Sequence, residues 1–159
     1  QETRLRAANL RGADLRETDL TKADLRQADL HEAGLGWADL SQSKLADANL
    51  RQANLIGAKL KEADLSRVDL RQATLNGANL RQAILRQARL NQADLNWANL
   101  SDADLHEAVL SQVNLGWADL CGVDLSRTKL EKARYNEQTK WPENFVVETA
   151  GCIFVSQQT

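Results

Sequence analysis

Cysteine is nearly absent: Cys121 and Cys152 are the only two in 159 residues. Two are too few for a disulfide framework, and their spacing is unlike that of a zinc site. Net charge is also scarce. Twenty basic and 22 acidic residues leave a formal charge of −2, and the two signs are interleaved along the chain. The basic footprint of a nucleic-acid binder and an acidic tail are both missing. No apolar run approaches about 18 residues, so no transmembrane helix is encoded. No secretory leader opens the sequence, but it begins at Gln1 rather than Met, so that absence excludes no compartment.

What is present is a period. Leu occupies every fifth position from Leu5 to Leu130 without exception, 26 in all. Two residues before most of them stands Ala, as at Ala13, Ala23 and Ala28, or another small residue such as Thr18, Ser43 or Val68. Between the two lies a mostly polar residue, commonly Asp or Asn. On an α-helix five residues advance roughly 500°, which would spiral the leucines around every side. On a flat strand, residues five apart point to opposite faces. A coil is the solution that buries them all, with each repeat forming one short side. In an extended segment Leu and the Ala two before it point the same way, so both face inward and the intervening Asp or Asn faces water.

A second period sets the number of sides. Trp37, Trp97 and Trp117 are separated by multiples of 20, as are Gln52, Gln72, Gln92 and Gln112. Gly36-Trp37-Ala38-Asp39-Leu40 recurs letter for letter as Gly116-Trp117-Ala118-Asp119-Leu120. Twenty residues per coil means four sides of five, with coils about 4.8 Å apart.

The uninterrupted Ala-(Asp/Asn)-Leu-x-x run, from Thr3 to about Tyr135, resembles the pentapeptide-repeat proteins. That resemblance implies an all-β, right-handed quadrilateral β-helix of about 6.5–7 coils. It divides the chain into repeats over 1–135 and a C-terminal capping segment over 136–159. Members are mostly bacterial and especially abundant in cyanobacteria. The tail from Tyr135 to Phe145, followed by Ala150-Gly151, looks like the terminal segment of many cyanobacterial members. In the cap, Tyr135 replaces the repeat Leu, and Trp141, Phe145, Val146, Val147, Ile153, Phe154 and Val155 are expected to close the last coil. The N-terminal coil has no such cover, and either a partner, by dimerisation or stacking through that end, or upstream sequence is expected to cover it.

No catalytic, cofactor-binding or metal-binding residues are expected. The repeat disperses the titratable groups. His31 and His106 fall about 18 Å apart along the axis and read as solvent-exposed turn residues. The Asp residues sit where a short side chain bonds its own backbone. No phosphate loop or nucleophile triad appears. Arg81, Arg86 and Arg89 read as a solvated face. Cys121 and Cys152 pair only if the tail folds back along the last coil.

The distinctive surface is the tryptophan column. Trp97 and Trp117 fall on adjacent coils, close enough to touch, and Gly57 and Gly77 separate them from Trp37. This forms a notch with aromatic walls, edged by Ile56, in which the rings either anchor a partner or cover the corner of the coil. The expected function is a non-enzymatic scaffold module that binds a protein partner, either as a free rod or as part of a longer cyanobacterial protein, with no nucleic acid and no membrane insertion by this chain. The expected compartment is the cytoplasm; the alternatives are thylakoid lumen, periplasm, or the soluble part of a membrane protein. A rival reading, a DNA mimic that binds gyrase and protects it from quinolones, fits poorly. The column Asp19, Asp39, Lys59, Asn79, Asn99, Asp119 is too mixed to imitate a duplex bearing one charge per about 1.7 Å.

Overall fold

The computed structural model describes residues 3–156. Its organising unit is the turn that follows each Leu. Leu5 O accepts from Ala8 N–H at 3.0 Å, Leu25 O from Ala28 at 3.1 Å, and this recurs five residues on along the repeats. The third residue of the turn takes a positive φ, the signature of a type II turn, where Gly or Asn is usual. Here the position holds Glu, Lys, Arg, Gln and Trp as readily: Glu17, Lys22, Gln27, Trp37 and Arg67 all have φ between 56° and 61°. The left-handed region costs an L-residue about 1–2 kcal/mol. Packing inside and between turns must offset that cost at each corner.

Four turns occur in every 20 residues, and each side bridges in parallel to the residue 20 further on. Asp24 pairs with Lys44, Lys44 with Asp64, and Asp64 with Ile84. Each bridge is a short ladder: Leu25 N–H donates to Lys44 O at 2.8 Å, and Lys44 N–H to Ala23 O at 2.9 Å. A third bond follows at the corner, from Gln27 N–H to Ala46 O at 3.0 Å. With only three residues between corners, a side is too short to count as a strand. Among the described residues, regular strand is confined to β1 (Arg134–Tyr135) and β2 (Ile153–Phe154), which pair in parallel.

The leucines and the small residues two before them form one continuous core. From Leu25 to Leu120 every repeat Leu is 0–1 % exposed. Leu5, Leu10 and Leu15, in the first layer described, are half-buried. Ser43 takes an Ala position and is buried, but its hydroxyl has no hydrogen-bond partner.

The pattern changes register near the end. Asp119 bridges Lys140, and Arg134 bridges Ile153, so the spacing slips from 20 residues to 21 and then 19. A buried polar pair marks the slip. Asn136 Oδ1 accepts from Trp117 N–H at 3.1 Å, and the Thr139 hydroxyl donates to Leu115 O at 2.8 Å. Trp141 stacks on Phe145, centroids 5.1 Å apart, and both pack on the core with Ala150 and Cys152. The cap is thinner than the sequence suggests. Val146, Ile153 and Phe154 are about half-exposed, although Phe154 meets the Tyr135 ring edge-on at 5.4 Å. The two cysteines are free. Cys121 is exposed at one corner. Cys152 follows Gly151, whose carbonyl accepts from Lys132 N–H at a different corner, and its Sγ faces Leu130 O.

Candidate functional site

Where the residue before Leu is Asp or Asn, its side chain caps the turn that follows. Asp64 Oδ1 accepts from Ser66 N–H at 3.0 Å, Asn54 Oδ1 from Ile56 at 3.1 Å, and Asp119 Oδ1 from Cys121 at 3.1 Å. Where the sequence reads Asp-Leu-Arg, the arginine also folds back to grip the carboxylate with two bonds. This happens at Asp14–Arg16, Asp24–Arg26 and Asp69–Arg71. The Arg16 guanidinium holds the Asp14 carboxyl at about 2, well below its ordinary value. Arg26 likewise lowers Asp24. At Asp69, burial opposes ionisation, but the bonds to Arg71 outweigh it and the net shift is downward. These carboxylates are committed to structure. Among the described residues, no group of three or more His, Cys, Asp or Glu is placed to hold a metal.

The His106 side chain is 43 % exposed and that of His31 only 13 %, and His31 Nδ1 lies 2.7 Å from Arg51 O in the next layer. The two basic residues flanking Ile84 are engaged by acids rather than simply solvated, Arg86 with Asp104 and Arg81 with Asp102.

The four corners differ in chemistry. One carries the glutamines as a continuous amide ladder: Gln52 donates to Gln72 at 3.4 Å, Gln72 to Gln92 at 3.0 Å, and Gln92 to Gln112 at 3.0 Å. The next corner carries the tryptophans. Over five consecutive turns its two residues are Gly36-Trp37, Ile56-Gly57, Asn76-Gly77, Asn96-Trp97 and Gly116-Trp117, without a single charge. The other three corners bear charges along the same stretch, if more sparsely at the glutamine corner.

Here the structure brings Trp97 and Trp117 together as a parallel stack, centroids 4.6 Å apart and planes 11° apart. Trp97 is 58 % exposed and Trp37 65 %. Trp117 is half-buried beneath its partner. Turning the Asn96 amide lets it donate to Gly116 O at 2.7 Å and accept from Trp97 Nε1 at 3.3 Å. A side chain on Gly116 would strike that amide.

The notch is narrower than the sequence suggests. Trp37 leans one layer along the axis, and its benzene carbons occupy the space a Cβ on Gly57 would take. Gly57 is therefore covered rather than bare. Gly77 is open: a Cβ there would meet nothing within 4 Å. Ile56 edges the site at 37 % exposure. Beyond Trp117 the corner continues into a cleft of about 380 Å³ bordered by Asn114, Arg134, Tyr135 and Asn136. Sequence reasoning missed this cleft because it depends on the register slip at Asn136.

Five-residue sides packed on a Leu and Ala core, with parallel bridges 20 residues apart, are the pattern of pentapeptide repeats. The family comparison agrees: the Pentapeptide repeats model matches in eight copies, with matched stretches at 1–36, 35–72, 63–102 and 98–134. The chain belongs to the pentapeptide-repeat family.

Solved structures similar to it come from cyanobacteria. HetL from Nostoc sp. strain PCC 7120, a pentapeptide-repeat protein involved in heterocyst differentiation regulation, is 39% identical with a TM-score of 0.66. That match covers 80% of this chain and 58% of HetL, so this chain spans little more than half of HetL's length. The pentapeptide-repeat protein alr5209 from Nostoc PCC 7120 is also 39% identical, with a TM-score of 0.64 over 66% of this chain and 86% of that one. Rfr23 from Cyanothece 51142 is 40% identical, with a TM-score of 0.58 over 58% of this chain and 63% of that one. No curated protein sequence matches the chain. Among the described residues, no helix is long and apolar enough to cross a membrane.

Proposed function

We propose that this chain is a right-handed quadrilateral β-helix of about 6.5–7 coils that serves as a non-catalytic scaffold. Its tryptophan corner, with Trp37, Ile56, Gly57, Gly77, Trp97 and Trp117, is the docking surface for a protein partner. One observation carries this reading: five consecutive corners are free of charge, and two of their indoles are more than half exposed. Exposed aromatics grouped on one patch are the usual anchors of protein interfaces. The half-buried Leu5, Leu10 and Leu15 supply a second apolar contact, for stacking against another layer or copy.

The test compares immobilised wild-type chain with Trp97→Ala and Gln72→Ala for retention of proteins from an extract of the source cells. Retention by wild type and Gln72→Ala, lost in Trp97→Ala at an unchanged melting temperature, supports the reading. Equal retention by all three contradicts it.

A further inference from the structure

If the tryptophan corner is a docking surface, the chemistry of what enters it can be derived from spacing, charge and one unpartnered atom. Layers in a parallel bridge ladder lie about 4.8 Å apart. Trp97 and Trp117 stack at 4.6 Å, so this corner holds one flat ring per layer. Trp37 has moved its ring into the layer of Gly57. Along the column from Gly57 to Trp117 the positions therefore read ring-covered glycine, open glycine, tryptophan, tryptophan. The open layer is that of Gly77. A flat group placed there lies roughly 5 Å from the ring on either side.

Gly77 itself is informative. Three other glycines each make room for a side chain from the preceding layer: Gly57 for Trp37, Gly116 for Asn96 and Gly122 for Asp102. At Gly77, as at Gly12, an added Cβ would meet nothing within 4 Å. Nor does the Gly77 φ of +65° require glycine here, because Gln72 and Gln92 hold 61° and 62° at the neighbouring corner.

Charge selects among flat groups. No cation stands in the corner from Gly36 to Trp117. Lys59, on the adjoining side, is held by Asp39 at 3.3 Å. Asp94 is bound by the Asn76 and Asn114 amides at 3.0 Å each and by Asn96 N–H at 3.1 Å, and among the described residues no cation pairs with it. Because Asn76 turns its Nδ2 to Asp94, its Oδ1 is left buried without a donor. A carboxylate and an uncompensated oxygen dipole make the margin of the slot negative, and indole faces attract cations.

We propose that the slot over Gly77 receives the guanidinium of an arginine from a protein partner, stacked between Trp37 and Trp97. Arginine suits the site better than lysine. Its head group is planar, is more weakly hydrated, and stacks on aromatic faces.

The probe is a capped Gly-Arg-Gly peptide at millimolar concentration, with capped Gly-Lys-Gly and Gly-Phe-Gly for comparison. The readout is the indole N–H resonances of the intact chain. The proposal expects the arginine peptide to shift Trp37 and Trp97 saturably, to leave Trp141 unmoved, and to exceed the lysine peptide. Gly77→Gln, which fills the slot with a residue the neighbouring corner tolerates, should weaken the response about tenfold. Asp94→Asn, the residue type found one layer on at Asn114, should weaken the arginine response several-fold and leave the phenylalanine response alone. Unmoved Trp37 and Trp97, or a response equal in Gly77→Gln with Trp141 still reporting a folded chain, overturns the slot. A response to phenylalanine but not arginine overturns the assigned cation. Both failures leave the docking surface itself to be judged by the Trp97→Ala retention experiment.

Discussion

The glutamine corner and the tryptophan corner are neighbours built on the same backbone. Both place their defining side chain at the third residue of a type II turn, with φ of 57–62° for the glutamines and 55–63° for the tryptophans. Both stack at the layer spacing. The difference lies in what is left over. Each interior glutamine donates one amide bond to the next layer and accepts one from the layer before, so the column is satisfied by its own members. The tryptophans are interrupted by Gly57 and Gly77, and Trp37 and Trp97 keep most of their area in contact with solvent. One corner closes on itself and the other presents unmet apolar area. On a uniform solenoid, function is therefore to be sought where a column is broken, not where it is complete.

The largest expected effect removes what both corners share. Leu65 is fully buried, and Leu65→Ala should cost about 2–5 kcal/mol by chemical denaturation, since a core stacked this regularly has little room to collapse. A loss below about 1 kcal/mol would mean that the layers slide to fill the gap.

A smaller effect separates the two glycines of the tryptophan corner. Their φ values are +64° and +65°, and only Gly57 lies beneath a ring. Gly57→Gln should therefore destabilise about 1 kcal/mol more than Gly77→Gln and shift the emission of Trp37. Equal costs would mean that the ring does not rest on the Gly57 backbone.

The smallest effect belongs to the Asp–Arg pairs. Asp14, Asp24 and Asp69 are all held below the ordinary carboxylate value in the folded chain, mainly by their bonds to Arg16, Arg26 and Arg71. A depressed folded pKa adds stability that is present above the unfolded value of about 3.9 and is lost as pH falls through the folded one. The melting temperature should thus be flat from pH 7 to about 5 and decline below about 4. The Asp14–Arg16 pair is largely exposed and the other two are only partly buried, so the decline is modest and weakens with salt. A rise in stability on acidification would contradict the assignment.

Much of this was legible in the sequence because the repeat is a packing rule. The Leu period and the small residue two before each Leu specify the inward face, and the 20-residue columns specify which residues stack. The glutamine ladder and the Trp97–Trp117 stack follow from that register alone. Three features were hidden for a physical reason. The lean of Trp37 over Gly57 is a rotamer choice that spacing does not determine. The partial shielding of the His31 side chain accompanies a contact with a backbone carbonyl in the next layer. The half-exposed Ile153 and Phe154 depend on a register slip that begins at Asn136, past the last regular repeat. Left-handed turn residues were equally hidden, since Gln, Glu and Lys carry no intrinsic signal for positive φ.

The central claim is that the exposed indoles are surplus to folding and serve recognition. The most direct test is equilibrium urea unfolding of the Trp37→Ala/Trp97→Ala double variant. With those rings more than half exposed, the account predicts a loss of at most about 2 kcal/mol and an unchanged transition slope. A loss above about 4 kcal/mol, the size expected for aromatic truncation in a core, would show that the rings hold the corner together, and the docking surface would have to be abandoned.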